Sequence, residues 1–322
     1  MTQATVRAHP NIAFIKYWGN IDDDLRLPIN SSISMNLDGL YAETTVIWDS
    51  SATSDALTLN DQIETGATLH RVSLHLDRIR KRLDLAQFAR VESNNNFPTG
   101  AGIASSAAAF AALTVAACLA ADAHLSEREL TTIARTGSGS ASRSVPAGFV
   151  EWHAGTSHDT SYAESIAPPD YWDLVDVIAI VSNEHKRVGS QAGHPTAKTS
   201  DLQNARVAGS QVRLDTVRQA IFDRDFSTFA EVVETDSNLM HAVMMTSKPP
   251  LFYWQPATLT IMQLVREWRE EGLSVCYTLD AGPNVHCICI RKDAETIRNR
   301  LASRSDVQDV RVARVGEAAH RI

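Results

Sequence analysis

Residues 98–108, PTGAGIASSAA, place Gly100 and Gly102 in a loop that runs straight into an alanine-rich segment. Glycine takes positive φ without a Cβ clash, so the backbone there can approach a ligand with its N–H groups outward. Ser105 and Ser106 stand where a helix would begin, and first-turn amides together with the helix dipole favour a bound anion. The junction suits a phosphate seat, with a serine hydroxyl for capping or a Mg²⁺-phosphate contact; a capped turn that binds nothing has the same composition. Neither G-x-x-x-x-G-K-[ST] nor G-x-G-x-x-G occurs here. A nucleotide at this loop is held by another geometry.

Residues 137–144, GSGSASRS, gather four hydroxyls and one guanidinium into eight positions. A flexible Gly/Ser linker has similar composition. Arg143, a planar fork suited to carboxylate or phosphate, and the FVEW that follows at 149–152 argue for a packed site instead. Lys16 and Tyr17 emerge at the end of a first strand beside Gly19, where long polar side chains reach a cavity or simply decorate a turn. Asp280 sits at a strand end before Ala-Gly-Pro, a place where aspartate also serves as a turn former. Ser190 and Gln191, flanked by two glycines and by basic residues, suit a second anion-binding loop, although HKR at 185–187 also reads as a solvated loop.

Hydrophobic spacing supplies the elements that carry these groups. Strands are expected over 6–15, broken at Pro10, then over 27–40, 42–50 and 89–93. A helix over 67–83 has apolar residues at helical spacing and an outer face of arginines expected to be solvated. The uncharged run at 107–121 reads as a helix buried nearly all round. Ser126 and Glu129 have the spacing of a capping box for a helix ending at Gly137. Further on come an apolar strand at 175–182, helices over 214–245 and 259–272, and the strand pair 273–280 and 284–290. A helix through Leu301, a strand at 307–315 and a loose tail close the chain.

With 322 residues the chain forms two lobes more naturally than one, and 44% hydrophobic with 21% charged residues is ordinary for a globular protein. A net charge of −8 excludes a global basic field for nucleic acid or anionic membrane. No run of eighteen uncharged apolar residues occurs and the first residues carry no apolar signal core, so a cytoplasmic protein without membrane contact is expected. Cys118, Cys276, Cys287 and Cys289 form no C-x-x-C pair and are expected as reduced core thiols.

Taken together, NIAFIKYWGN, LPINSS, NNFPTGAGIASSAA, GSGSASRS with AGFVEW, DSNLMH and YTLDAGPNV resemble, in order and nearly from end to end, the motifs of the ATP-dependent mevalonate-pathway decarboxylases of the GHMP small-molecule kinase superfamily. The resemblance implies an α+β GHMP kinase fold. Residues 1–180 would form a ribosomal-protein-S5-like ATP-binding domain, 181–322 a ferredoxin-like domain, with the active cleft between them and a homodimer as assembly. It also implies Mg²⁺ and ATP, phosphorylation of a tertiary C3 hydroxyl, and loss of that phosphate with CO₂ to leave an alkene. By matched position Asp280 would face the C3 hydroxyl, Arg143 would hold the substrate carboxylate and Lys16 would stabilise the transferring phosphate. Tyr17, Ser138, Ser140 and Ser190 would bind substrate oxygens. Pro98, Gly100, Gly102, Ser105 and Ser106 would seat the ATP phosphates, Ser105 also meeting Mg²⁺, and Ser93 would lie nearer the nucleoside.

Two departures bear on the substrate. Relatives end the first motif in KYWGK, where this chain has Asn20, and the Ser190 loop carries Gln191 where many bacterial members have arginine. In the family it resembles, both positions lie toward the terminal phosphate of the substrate. A charge-assisted hydrogen bond contributes about 1.5–3 kcal/mol, so losing two weakens a diphosphate by about two to four decades. The expectation is therefore mevalonate 5-phosphate as substrate, giving isopentenyl phosphate. The alternative is diphosphomevalonate decarboxylation, with His185, Lys186 or Arg187 supplying the missing charge, and a further one is a mevalonate-type kinase that does not decarboxylate.

Overall fold

The structure, a computed structural model, describes residues 2–97, 105–183 and 188–322. Pro98, Gly100 and Gly102 of the expected phosphate loop, and the HKR of 185–187, lie outside the described residues. Two sheets organise an α+β fold. The six-stranded one runs His320–Arg321, Thr2–Ala8, Ala42–Asp49, Phe88–Asn95, Ala56–Leu59, Gln62–Glu64. The eight-stranded one runs Ala163–Ala167, Phe149–Trp152, Ser32–Asp38, Asp309–Val315, Leu174–Ile180, Val285–Ile290, Val275–Thr278, with Asn11–Ile15 also paired to Ser32–Asp38.

Pro10 divides the first strand, as its missing N–H and fixed φ dictate. Thr2–Ala8 pairs with Ala42–Asp49 in one sheet and Asn11–Ile15 with Ser32–Asp38 in the other, so the chain changes sheets at the proline and delivers Lys16 to the end of a fully buried strand. The helix Ser105–Ala120 is buried on nearly every side against the first sheet; its small side chains let Trp48 reach in and donate Nε1–H to the Ala117 carbonyl at 2.9 Å. Ser126 caps Glu127–Gly137 through the full reciprocal box with Glu129. All four cysteines are buried and free. No helix among the described residues is long and apolar enough to cross a membrane.

Three expectations are corrected and one is met. The strand expected over 27–40 is two, Leu27–Pro28 and Ser32–Asp38, because the intervening residues bend to meet the Lys16 turn: Ile29 N–H donates to Gly19 and Asn30 Nδ2 to the Lys16 carbonyl. Residues 137–144 are the packed segment expected and not a linker; they complete the capped helix and continue as a buried 3₁₀ turn, Gly139–Ser144. The arginines of the helix Gly66–Leu83 are not all solvated. Arg80 forks onto Asp55 at 2.8 and 2.9 Å, while Arg71 and Arg78 donate to the carbonyls of Gly137 and Thr136. The tail is not loose: His320–Arg321 pairs with the first strand and Ile322 N–H donates to Thr5.

Candidate active site

Lys16, Asp280 and Arg143, far apart in sequence, face one cavity of about 650 Å³. Each is held by partners distant in the chain rather than by its sequence neighbours. The Lys16 N–H donates to Asp236 Oδ2 at 2.6 Å, and its carbonyl accepts from Arg206 Nη2 at 2.7 Å and Asn30 Nδ2 at 3.0 Å. Asp236 belongs to the helix Phe226–Thr246, which carries the DSNLMH stretch; one turn position on, Ser237 Oγ accepts from Leu279 N–H at 3.0 Å. That stretch therefore fixes both the lysine and the loop bearing Asp280. Thr258 closes the same loop by donating to the Pro283 carbonyl at 2.6 Å.

Across the cavity floor, Lys16 Nζ donates to Asp280 Oδ1 at 2.8 Å; the lysine is buried and the carboxylate is 28% exposed. Burial works against both charges. It pulls the Lys16 ammonium below the ordinary lysine value against the attraction of Asp280, whereas the Asp280 carboxyl, despite burial, is held below the usual carboxylate range by Lys16, with Arg143 helping. Asp280 is thus an anion with one edge turned to the cavity. Arg143 donates Nη1–H to Ser32 Oγ at 2.6 Å and Nε–H to Asn11 Oδ1 at 3.2 Å, bonds that leave Nη2 without a partner among the described residues. Burial lowers its pKa to about 10, so it remains a cation.

Ser138 and Ser140 line the same cavity, and Ser138 Oγ stands 3.2 Å from Ser106 Oγ and 3.5 Å from Ser140 Oγ. Ser105 and Ser106 open the helix Ser105–Ala120 and line both this cavity and a smaller one of about 160 Å³, where Ser93 lies with an apolar wall of Leu57, Val91 and Leu113. Ser93 Oγ is 2.9 Å from Thr44 Oγ and does not reach the large cavity. Ser190 and Gln191 sit on an exposed one-turn helix, Ser190–Gly193, at the cavity rim.

Tyr17 lines the cavity with its ring stacked on His194, centroids 4.1 Å apart, and its hydroxyl donates to Asn20 Oδ1 at 2.5 Å. Asn20 Nδ2 donates in turn to Asp23 Oδ1 at 2.8 Å, so Asn20 is occupied on both sides and is not among the residues lining the cavity. Gly139 has to be glycine, since a Cβ there would stand 2.5 Å from the Tyr17 ring.

Three ionisable residues of the lining were not singled out from sequence. His194 Nδ1 accepts from Gly19 N–H at 3.0 Å, and burial followed by the nearby arginines depresses its pKa to about 3, so the ring is neutral with its proton on Nε2. Arg26 and Arg71 add two cations to the wall. Arg71 lies four residues after Ala67 in a basic helix face that sequence alone assigns to water; Arg26 follows three aspartates, which suggest an exposed turn.

A magnesium site of the all-protein kind is absent among the described residues, where no three His, Cys, Asp or Glu side chains cluster. The donors that are present, a serine hydroxyl at a helix start and a cationic wall, fit instead a Mg²⁺ that arrives on nucleotide phosphates and retains several waters, with Ser105 the side chain that would meet it.

Comparison with known proteins agrees with this arrangement. Residues 8–163 match the diphosphomevalonate decarboxylase-like N-terminal domain, and residues 176–318 the mevalonate 5-diphosphate decarboxylase C-terminal domain. The diphosphomevalonate decarboxylase of Candida albicans is 40% identical over 301 residues, covering 88% of this chain and 83% of the relative. The crystal structure of mevalonate diphosphate decarboxylase from Staphylococcus aureus superposes with a TM-score of 0.96 at 36% identity, covering 100% of this chain and 98% of that one. A structure of MDDEF in complex with MVAPP, AMPPCP and magnesium gives a TM-score of 0.94 at 35% identity, covering 100% and 99%. The chain belongs to the ATP-dependent mevalonate-pathway decarboxylases of the GHMP superfamily.

Proposed function

We infer that the protein decarboxylates mevalonate 5-diphosphate at the expense of ATP, giving isopentenyl diphosphate, CO₂, ADP and phosphate. The observation that carries this reading is the charge of the cavity wall: Lys16, Arg143, Arg26 and Arg71 face one carboxylate, Asp280. Two of those cations lie outside the expected set, which answers the objection raised by the neutral Asn20. The names of the relatives favour the same substrate.

Asp280 orients the C3 hydroxyl and takes its proton as the γ-phosphoryl group transfers. Lys16, beside it, neutralises charge on the moving group. Arg143, free at Nη2, grips the substrate carboxylate. When phosphate then leaves C3 with the C–O bonding electrons, the electrons of the C–COO⁻ bond form the alkene and CO₂ departs. Ser105 and Ser106 receive the ATP phosphates, while the small cavity beside Ser93 takes the nucleoside. Bound Mg²⁺ supplies charge neutralisation between the phosphates. Residues from 1–180 and from 181–322 lining one cavity support a cleft between two lobes.

A second reading, mevalonate 5-phosphate to isopentenyl phosphate, is favoured by one observation: Asn20 is neutral and engaged by Tyr17 and Asp23, and Gln191 is neutral too. Purified protein is to be given each substrate with Mg-ATP and CO₂ release measured. The diphosphate is expected to give the higher kcat/KM; a kcat/KM more than tenfold higher on the monophosphate reverses the assignment, and ADP without CO₂ on both removes decarboxylation.

A further inference from the structure

The last carbonyls of the helix Glu127–Gly137, which have no partner within the helix, are met by three arginines. Arg71 Nη2 donates to Gly137 at 3.0 Å, while Arg78 Nη1 and Arg26 Nε share Thr136 at 2.6 and 3.0 Å. The negative end of the helix dipole holds the cluster together. Arg78 spends a further bond on the Asp24 carbonyl, whereas Arg26 makes no hydrogen bond from Nη1 or Nη2 and no ion pair among the described residues. Asp23, the carboxylate that acts on its charge, makes its hydrogen bond to Asn20 instead.

Arg26 is therefore a half-buried guanidinium anchored by its Nε edge, lining the active cavity without an ion pair among the described residues. Burial is the largest influence on it and lowers its pKa; Tyr17 and Asp23 only partly offset that, and Arg78 opposes them. An uncompensated cation in such a place is stabilised by an anion that arrives from outside. The backbone adds a second mark: Arg26 has φ +50°, the left-handed region that a long side chain rarely occupies, and from this turn the side chain reaches the cavity that Tyr17 also lines.

We propose that Arg26 is the specificity-determining cation for the substrate's terminal phosphate, filling from the 21–26 turn the electrostatic part that Asn20 leaves vacant. A guanidinium fork offering two parallel N–H donors suits a phosphate's oxygens better than the single ammonium a lysine at position 20 would bring. Arg26 lines the large cavity with Tyr17 and is not among the residues lining the smaller one beside Ser93, which assigns it to the substrate end rather than the nucleoside end. The assignment rests on the substrate being a 5-phosphorylated mevalonate.

The test compares wild type with Arg26→Gln, Arg26→Gly and Arg26→Lys. Glycine adopts φ +50° freely, so Arg26→Gly removes the charge while relieving the turn, and a thermal melt checks that each variant is folded. Wild-type CO₂ release from mevalonate 5-diphosphate or 5-phosphate verifies the underlying function by itself; its absence from both refutes that function, whatever Arg26 does. Given that turnover, Arg26→Gln and Arg26→Gly should raise the KM for the phosphorylated substrate by about 10- to 100-fold. Their KM for ATP and kcat should stay within about threefold, and Arg26→Lys should fall between them and wild type. Calorimetric titration with mevalonate 5-diphosphate in the absence of ATP should show the same loss. An unchanged substrate KM in Arg26→Gly, a rise in the KM for ATP instead, or an Arg26→Lys as weak as Arg26→Gln overturns the proposal.

Discussion

Lys16 Nζ lies 2.8 Å from Asp280 Oδ1, although 264 positions separate them in the chain. The pair makes the carboxylate a persistent anion, since Lys16 holds its pKa down against burial. A group whose pKa is depressed keeps its charge as pH falls until that lowered value is reached. The acid limb of kcat should therefore lie below about pH 4, the ordinary aspartate value. Lys16→Met removes the opposing charge and leaves burial dominant, so the limb of the residual activity should move upward. A pH–rate profile of the variant with an unshifted limb would remove this coupling. Asp280→Asn should abolish turnover and leave ATP affinity nearly unchanged by direct binding.

Arg143 is held by Ser32 and Asn11, neither of which could be assigned to it from sequence. A charge-assisted bond of this kind contributes about 1.5–3 kcal/mol. Ser32→Ala is expected to lower kcat by about tenfold or more while the KM for ATP stays put, because the guanidinium loses its aim and not its charge. Arg143→Gln should be far worse, by about 10²–10³-fold in kcat/KM. Equal effects of the two variants would mean that orientation by Ser32 is all that matters.

Asp236 couples stability to the site. Buried completely, it accepts from the Lys16 N–H and from Arg213 Nε at 2.7 Å. Removing one partner of a buried pair leaves the other charge stranded, at about 3–5 kcal/mol. Asp236→Ala should lower unfolding stability by that amount in urea titration, with Asp236→Asn smaller because it still accepts a hydrogen bond. A change under about 1 kcal/mol in Asp236→Ala would show that Arg213 finds water instead.

How far sequence carried the site depended on where each side chain gets its direction. Lys16, Asp280 and Arg143 stand at element ends marked by proline, glycine or serine, and such punctuation is local, so their emergence into a cavity was legible. Arg26, Arg71 and His194 face the same cavity for reasons that are not local: two carbonyls at the end of another helix turn the arginines inward, and a glycine N–H 175 positions away holds the histidine. Helical periodicity separates a basic face from an apolar one but says nothing about what docks on the basic face. The same blindness cost the tail its strand, because His320–Arg321 is too short to show alternation and exists only by pairing with Thr2–Ala8.

Asn20 gives the sharpest substrate test. Its amide both accepts from the Tyr17 hydroxyl and donates to Asp23, a chain that a lysine cannot reproduce because an ammonium has no acceptor. In Asn20→Lys the new charge has two anions to choose from, Asp23 and the terminal phosphate of the substrate. Asp23 is exposed and its attraction is weakened by water, whereas a phosphate inside the cavity is not so screened. The ratio of kcat/KM for mevalonate 5-diphosphate over mevalonate 5-phosphate should then rise about tenfold, and further in Asn20→Lys/Asp23→Asn, where the competing carboxylate is gone. CO₂ release from each substrate reads both ratios. If neither variant moves them, charge at position 20 does not set phosphate number, and Arg26 alone already saturates the tail.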